Sequence, residues 1–135
     1  MADHNFDIVI LGGGSGGYAA ALRSAQLGKS VALIEKDKLG GTCLHRGCIP
    51  TKALLHSAEV ADVTKEAAQF GVVAQFGSID MNQVNKYRDG IIDRLFKGLT
   101  GLVTSKNVTV VQGEGRLTGP RTVTVNGDNY TGTDV

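Results

Sequence analysis

The run Asp7-Ile8-Val9-Ile10-Leu11 leads directly into Gly12-Gly13-Gly14-Ser15-Gly16-Gly17, and few folds accommodate an apolar run that ends in a glycine cluster. The run is continuous rather than alternating, the pattern of a strand covered on both faces of a parallel sheet, and predicts a strand over 6–11. Downstream the chain is rich in Ala and Leu and closes at Gly28, which predicts a helix over 15–28. Val31-Ala32-Leu33-Ile34-Glu35 repeats the buried pattern and predicts a strand over 30–35. Together these form one βαβ unit of about 30 residues with a right-handed crossover, which commits the chain to an α/β architecture.

The remainder reads in the same way. Pro50 suits the first turn of a helix, where its missing N–H costs nothing, and predicts a helix over 51–70. Asp80 with Gln83 three residues on is a capping-box variant, and Val84, Ile91, Leu95, Leu99 and Leu102 continue it in helical register, predicting a second long helix over 80–105. Val108-Thr109-Val110-Val111 predicts a third parallel strand over 107–112. Thr122-Val123-Thr124-Val125 alternates and meets Asn126-Gly127, a strong turn signal, so 121–135 reads as an antiparallel hairpin. Its return strand would end the chain as an unpaired edge, an aggregation hazard, and the chain is therefore expected to be part of a longer protein.

Gly12, Gly14 and Gly17 match Gly-x-Gly-x-x-Gly. In that motif the first glycine allows the tight turn, the second lets backbone approach a pyrophosphate, and the third lets helix pack on strand. The helix N-terminus supplies free N–H groups and a partial positive charge to phosphates. Glu35, at the end of the second strand, is placed to accept hydrogen bonds from ribose hydroxyls, and its charge disfavours a 2′-phosphate. NAD and FAD are both compatible with these residues. FAD is favoured by the position of the motif at the N-terminus and by the cysteine pair that comes soon after Glu35.

Cys43 and Cys48 are the only cysteines of the chain. A five-residue step along a regular helix separates Cα atoms by about 8.5 Å, and disulfides rarely exceed about 7 Å. A bridged pair would therefore need an irregular segment, here a loop over 40–50 in which Gly47 permits the distortion. Cys48 would then lie beside a helix N-terminus, where the dipole favours thiolate. Two separate thiols satisfy the spacing as well. The start of the chain has no basic n-region and no apolar stretch near the ~20 residues of a membrane helix, so a cytoplasmic location is expected and a purely structural disulfide is not. A net charge of +1 gives no case for nucleic acid or an anionic membrane as partner. Metal binding, with His45 as a third ligand, is the weaker alternative, because structural zinc takes about four ligands at closer spacing.

The order of the glycine motif, Glu35-Lys36 and Gly40-Gly41-Thr42-Cys43 through Gly47-Cys48-Ile49-Pro50-Thr51-Lys52 resembles the N-terminal part of the pyridine nucleotide–disulfide oxidoreductases, over nearly the whole chain. Within that family the Cys-Ile-Pro-Thr-Lys wording is similar to the branch that oxidises protein-bound dihydrolipoamide with NAD. The resemblance implies a truncated Rossmann-like FAD-binding domain, with NAD-binding and dimer-interface domains elsewhere. It implies Cys43 as the interchange thiol, Cys48 as the thiol facing the flavin, and Lys52 as a fixed positive charge near the flavin. Further FAD contacts would come from Gly12, Gly14, Gly17, Glu35, Lys36, Gly41 and Thr42, with Gly115 at the adenine end. The implied partners are a second copy of the full-length chain and the lipoyl domain of a 2-oxoacid dehydrogenase complex; no metal is implied.

His45 and Arg46 stand where members of the family commonly carry Asn and Val. Arg46, if turned towards the cysteines, would lower the pKa of Cys43; the bland reading has both side chains solvated. Mercuric or mycothione reduction is the nearest alternative activity, and a non-enzymatic nucleotide-binding redox sensor is the alternative from another class.

Overall fold

The computed structural model describes all residues 1–135. The elements, in chain order, are β1 (Asp3–Leu11), α1 (Ser15–Gln26), β2 (Val31–Glu35), α2 (Gly41–His45), α3 (Cys48–Glu66), α4 (Met81–Ser105), β3 (Thr109–Gln112), β4 (Arg116–Gly119), β5 (Thr122–Val125) and β6 (Asp128–Asp134). The last residues of the long α3 segment, Ala67–Phe70, tighten into a 3₁₀ turn. One six-stranded sheet runs β3-β2-β1-β6-β5-β4. Its first four strands are mutually parallel and the last three antiparallel. The α/β class with a βαβ unit, two long helices and an antiparallel C-terminal hairpin is therefore the observed architecture.

Several sequence expectations change in detail, each for a tertiary reason. The return strand of the hairpin is not an edge: β6 lies inside the sheet and pairs parallel with β1, from Asp3↔Asn129 to Ile8↔Asp134. That partner also carries β1 back to Asp3, beyond the expected start at 6. The hairpin is a three-stranded meander, because Arg116–Gly119 pairs with β5 as well. Asn126 (φ 52°) and Gly127 (φ 89°) make its tight turn with both residues left-handed. The 40–50 segment is largely helical: α2 occupies its first half, and α3 begins at Cys48 rather than 51, with Pro50 tolerated as its third residue.

β2 shows why the apolar runs are continuous. Val31, Ala32, Leu33 and Ile34 are at most 1% exposed. Val31 and Leu33 pack with Ala21 of α1, Leu39, and Val103 of α4 on one face. Ala32 and Ile34 pack with Val9, Val123 and Val125 on the other. β5 touches β2 across that second face although β1 and β6 separate them in the sheet, so the meander curls over and covers a face that a helix would otherwise take. Burial of each large aliphatic side chain contributes about 1.5–3 kcal/mol.

On α4 the buried stripe is Phe96, Leu99 and Val103 rather than the full expected series; Leu95 and Leu102 remain 43% and 46% exposed. Asp80 caps the helix, accepting from the Asn82 and Gln83 amides at 2.9 and 3.3 Å. No helix is long and apolar enough to cross a membrane.

Candidate functional site

The glycine loop is fastened to the strand beside it. Gly12 adopts φ 106°, a conformation costly for any residue with a Cβ, and its N–H donates to the Ile34 carbonyl at 2.8 Å. The Gly13 amide donates to Glu35 Oε2 at 2.7 Å, and the Gly13 carbonyl accepts from the Gly40 amide at 2.8 Å. The other Glu35 oxygen, Oε1, accepts from the Asp37 amide at 2.8 Å. Glu35 thus braces the loop while retaining further lone pairs on each oxygen.

A Cβ on Gly17 would fall on the carbonyl of Gly12, so the absence of a side chain is what lets α1 rest on the strand turn. Gly41 is left-handed (φ 59°), and a Cβ there would lie 2.8 Å from Gly14 Cα, so α2 abuts the loop from the other side. A Cβ on Gly14 would meet nothing within 4 Å. Gly14 is also the N-cap of α1 and no side chain caps that end, leaving first-turn amides directed outward. Open space before an uncapped helix end suits an anionic group with a close backbone approach.

From there a groove follows the carboxyl end of the sheet. One cleft of about 260 Å³ is lined by Leu11, Gly12, Ile34, Glu35, Lys36 and the turn Gly113-Glu114-Gly115. A second shares Glu35 and Lys36 and continues to Gly41 and Thr42. The structure therefore brings together the dispersed candidates Gly12, Glu35, Lys36, Gly41, Thr42 and Gly115. Gly115 has a packing reason as well: a Cβ there would lie 2.7–2.9 Å from Leu11, Ile34 and Val123 side chains. Leu11 is a groove wall that the motif does not point to; its place as the last strand residue before the glycines is the sequence signal for it.

Cys43 and Cys48 are joined by a disulfide with Cα atoms 4.7 Å apart. The chain achieves this by breaking the helix at Arg46 and Gly47, so Cys43 sits in α2 and Cys48 is the first residue of α3. Gly47 faces Thr42 O and Cys43 Cα so closely, 3.0 and 3.4 Å from a would-be Cβ, that a larger residue would press the two segments apart. Lys52 is one turn beyond Cys48 on the same helix face, and both are exposed. Beside the disulfide lies an apolar cleft of about 270 Å³ walled by Tyr18, Leu44, Ile49, Leu95 and Leu99; Cys43 lines it and Cys48 does not. The exposure of Leu95 is explained by this cleft.

The two unusual residues of the motif turn away from the sulfurs. Arg46 pairs with Asp37 at 3.3 Å, both side chains exposed, so its guanidinium is directed to that carboxylate, as the solvated reading has it, and the condition for an action on Cys43 is not met. His45 is half-buried rather than solvated, with Nε2 2.9 Å from the Leu39 carbonyl and its ring edge-on to Phe96. With the sulfurs bonded to each other and His45 held by Leu39, the Cys-His-Cys metal arrangement is not formed.

Residues 6–135 match the family described as pyridine nucleotide-disulphide oxidoreductase. The chain is 50% identical over 115 residues to a dihydrolipoyl dehydrogenase of Bacillus subtilis, covering 85% of the chain and 24% of that protein. It is 43% identical over 125 residues to the dihydrolipoyl dehydrogenase of Thermus scotoductus, covering 93% and 27%. Against that of Chlamydia trachomatis it is 44% identical over 124 residues, covering 92% and 27%. The chain spans about a quarter of the length of these curated relatives.

Proposed function

This chain belongs to the pyridine nucleotide-disulphide oxidoreductase family, and from that premise we propose that the protein it forms oxidises dihydrolipoamide by thiol–disulfide exchange at Cys43–Cys48, with FAD and NAD as electron acceptors. The observation that carries this reading is the asymmetry of the disulfide. Cys43 opens onto an apolar cleft, while Cys48 sits at the N-terminus of the 19-residue α3.

The asymmetry supports a division of roles. A substrate thiolate attacks Cys43 Sγ, forming a mixed disulfide as the Cys43–Cys48 bond breaks, and the electron pair leaves on Cys48. The dipole of α3 and the charge of Lys52 lower the basicity of that thiolate, making Cys48 the better leaving group. The second substrate thiol, losing its proton to solvent, attacks the substrate sulfur of the mixed disulfide and releases Cys43, which takes up a proton. The substrate dithiol has then lost two electrons and the cysteine pair has gained them. The apolar walls Tyr18, Ile49, Leu95 and Leu99 suit an aliphatic dithiol better than a charged peptide.

The residues present fit FAD. Its pyrophosphate would meet the α1 N-terminus at Gly14, its ribose Glu35, its adenine end the Lys36–Gly115 cleft, and its ring the face shared by Cys48 and Lys52. The chemistry FAD supplies when bound is acceptance of the electron pair and hydride donation to NAD. A full-length protein of this kind would work as a homodimer on lipoyl domains of 2-oxoacid dehydrogenase complexes.

The test is anaerobic titration of the chain with dihydrolipoamide in the presence of FAD. Two thiols should appear per chain, with long-wavelength flavin absorbance developing in parallel; Cys43→Ser, in which Cys48 is a free thiol from the outset, should gain no thiol and show no absorbance change on adding dihydrolipoamide. A disulfide that resists dihydrolipoamide in FAD-bound protein would overturn the assignment.

A further inference from the structure

Cys43 is carried on a helix of five residues, α2, whose start has no side-chain cap. A single turn does not persist unaided, because fixing its backbone costs more than its few hydrogen bonds return. In the oxidised protein the bond to Cys48 holds it. At its start the turn is tied by the Gly40 amide on the Gly13 carbonyl and by the approach of Gly41 to Gly14; further along, the other ties are burial of Leu44, an exposed Arg46–Asp37 pair of little energetic consequence, and His45. The Leu39 carbonyl can only accept, so His45 Nε2 carries the hydrogen and donates across 2.9 Å. Leu39 is itself 6% exposed and belongs to the main core. On its other side the imidazole meets the Phe96 ring of α4 at 5.2 Å between centroids and 69° between planes, an attractive edge-to-face geometry. His45 therefore fastens the end of α2 to the core loop and to α4 at once.

We propose that His45 is a positioning residue that keeps Cys43 within reach of Cys48 after reduction, and so sets the dithiol–disulfide equilibrium of the pair. The inference rests on the reading of Cys43–Cys48 as a redox centre and adds the group that poises it. Reduction removes the covalent tie, and the turn then keeps its place only through non-covalent contacts. With His45 present, reclosure needs no reordering of α2. Without it the reduced turn frays, and forming the disulfide must order it again, which shifts the equilibrium towards dithiol.

The experiment equilibrates the chain in glutathione buffers, where the dithiol and glutathione disulfide exchange to protein disulfide and two glutathione thiols, and reads the reduced fraction by alkylation. His45→Ala should lower the equilibrium constant for disulfide formation about tenfold, equal to a rise of about 30 mV in potential. His45→Gln, which keeps an N–H for the Leu39 carbonyl, should recover part of that shift. Should His45→Ala not fold, Phe96→Leu, which removes the ring partner and keeps apolar bulk, should shift the potential in the same direction by less. Wild-type potentials in the variants that fold would overturn the proposal. Neither FAD nor dihydrolipoamide is required, so this outcome is separate from that of the flavin titration.

Discussion

Alanine at Gly14 and alanine at Gly17 should have opposite signatures although both belong to one motif. At Gly14 the backbone is at φ −70° and ψ −173°, open to any residue, and a Cβ meets nothing within 4 Å. Loss of unfolded-state freedom favours Ala there by about 0.4–1 kcal/mol. Gly14 is also an N-cap, where Ala is inferior to Gly by a similar amount. The two offset, and the melting temperature of the FAD-free chain should move by no more than about 2 °C. The methyl group would nevertheless occupy the space where the proposed FAD would bring its pyrophosphate, and FAD affinity should fall at least about tenfold, roughly 1.4 kcal/mol. At Gly17 the added Cβ collides with the Gly12 carbonyl, which is backbone and cannot swing aside. Overpacking of this kind costs about 1–3 kcal/mol, against which a helix interior gains about 0.5–1 kcal/mol from Ala. The net loss, about 1 kcal/mol at mid-range and up to about 2.5 kcal/mol, should lower the melting temperature by about 3–8 °C, and FAD binding should fall too because the turn at Gly12 is rebuilt. Thermal melts followed by circular dichroism, with flavin fluorescence titrations, separate the two effects. Wild-type FAD affinity in Gly14→Ala would refute the close-approach argument, and a wild-type melt in Gly17→Ala the packing argument.

Two more outcomes concern groups away from the site. Asp80→Ala removes the acceptor for the Asn82 and Gln83 amides and should cost about 1 kcal/mol in urea denaturation; Asp80→Asn should cost visibly less. The Ser30 amide, then the Ser30 hydroxyl, hold the Asp7 carboxyl below its ordinary pKa. A lowered carboxylate stabilises the fold above its unfolded-state pKa, and that contribution is lost as pH falls through the folded value. Wild type should therefore exceed Asp7→Asn in stability at pH 6, with the difference shrinking below about pH 4; a difference independent of pH would refute the role given to this carboxylate.

Much of the fold was legible because its signals are local. The continuous apolar run Val31–Ile34, the glycine stops and the Asn126-Gly127 turn each state a backbone preference that neighbouring residues suffice to produce. The site was legible for a related reason: Gly17 and Gly41 mark places where a side chain has no room, Gly12 marks a positive φ that favours glycine, and Cys43 and Cys48 are the only thiols. Less legible were features that depend on a distant partner. Leu95 and Phe96 both fit an apolar helix stripe, and only the packing of α1 and β2 against α4 decides that Phe96 turns inward while Leu95 walls a cleft. Arg46 could have faced either the sulfurs or Asp37, and its exposed pairing with Asp37 is an outcome of the loop geometry.

Periodicity, turn chemistry and residue type therefore settle the βαβ unit, the glycine-rich strand–helix turn and the presence of two cysteines close in sequence, since each is a property of nearby residues. Tertiary structure alone seats β6 between β1 and β5, curls the meander over Ala32 and Ile34, and holds α2 against Leu39 and Phe96 so that Cys43 reaches Cys48. Those arrangements join residues up to 126 positions apart, and the free energy that selects them arises only when apolar surfaces and backbone donors from distant segments leave water together.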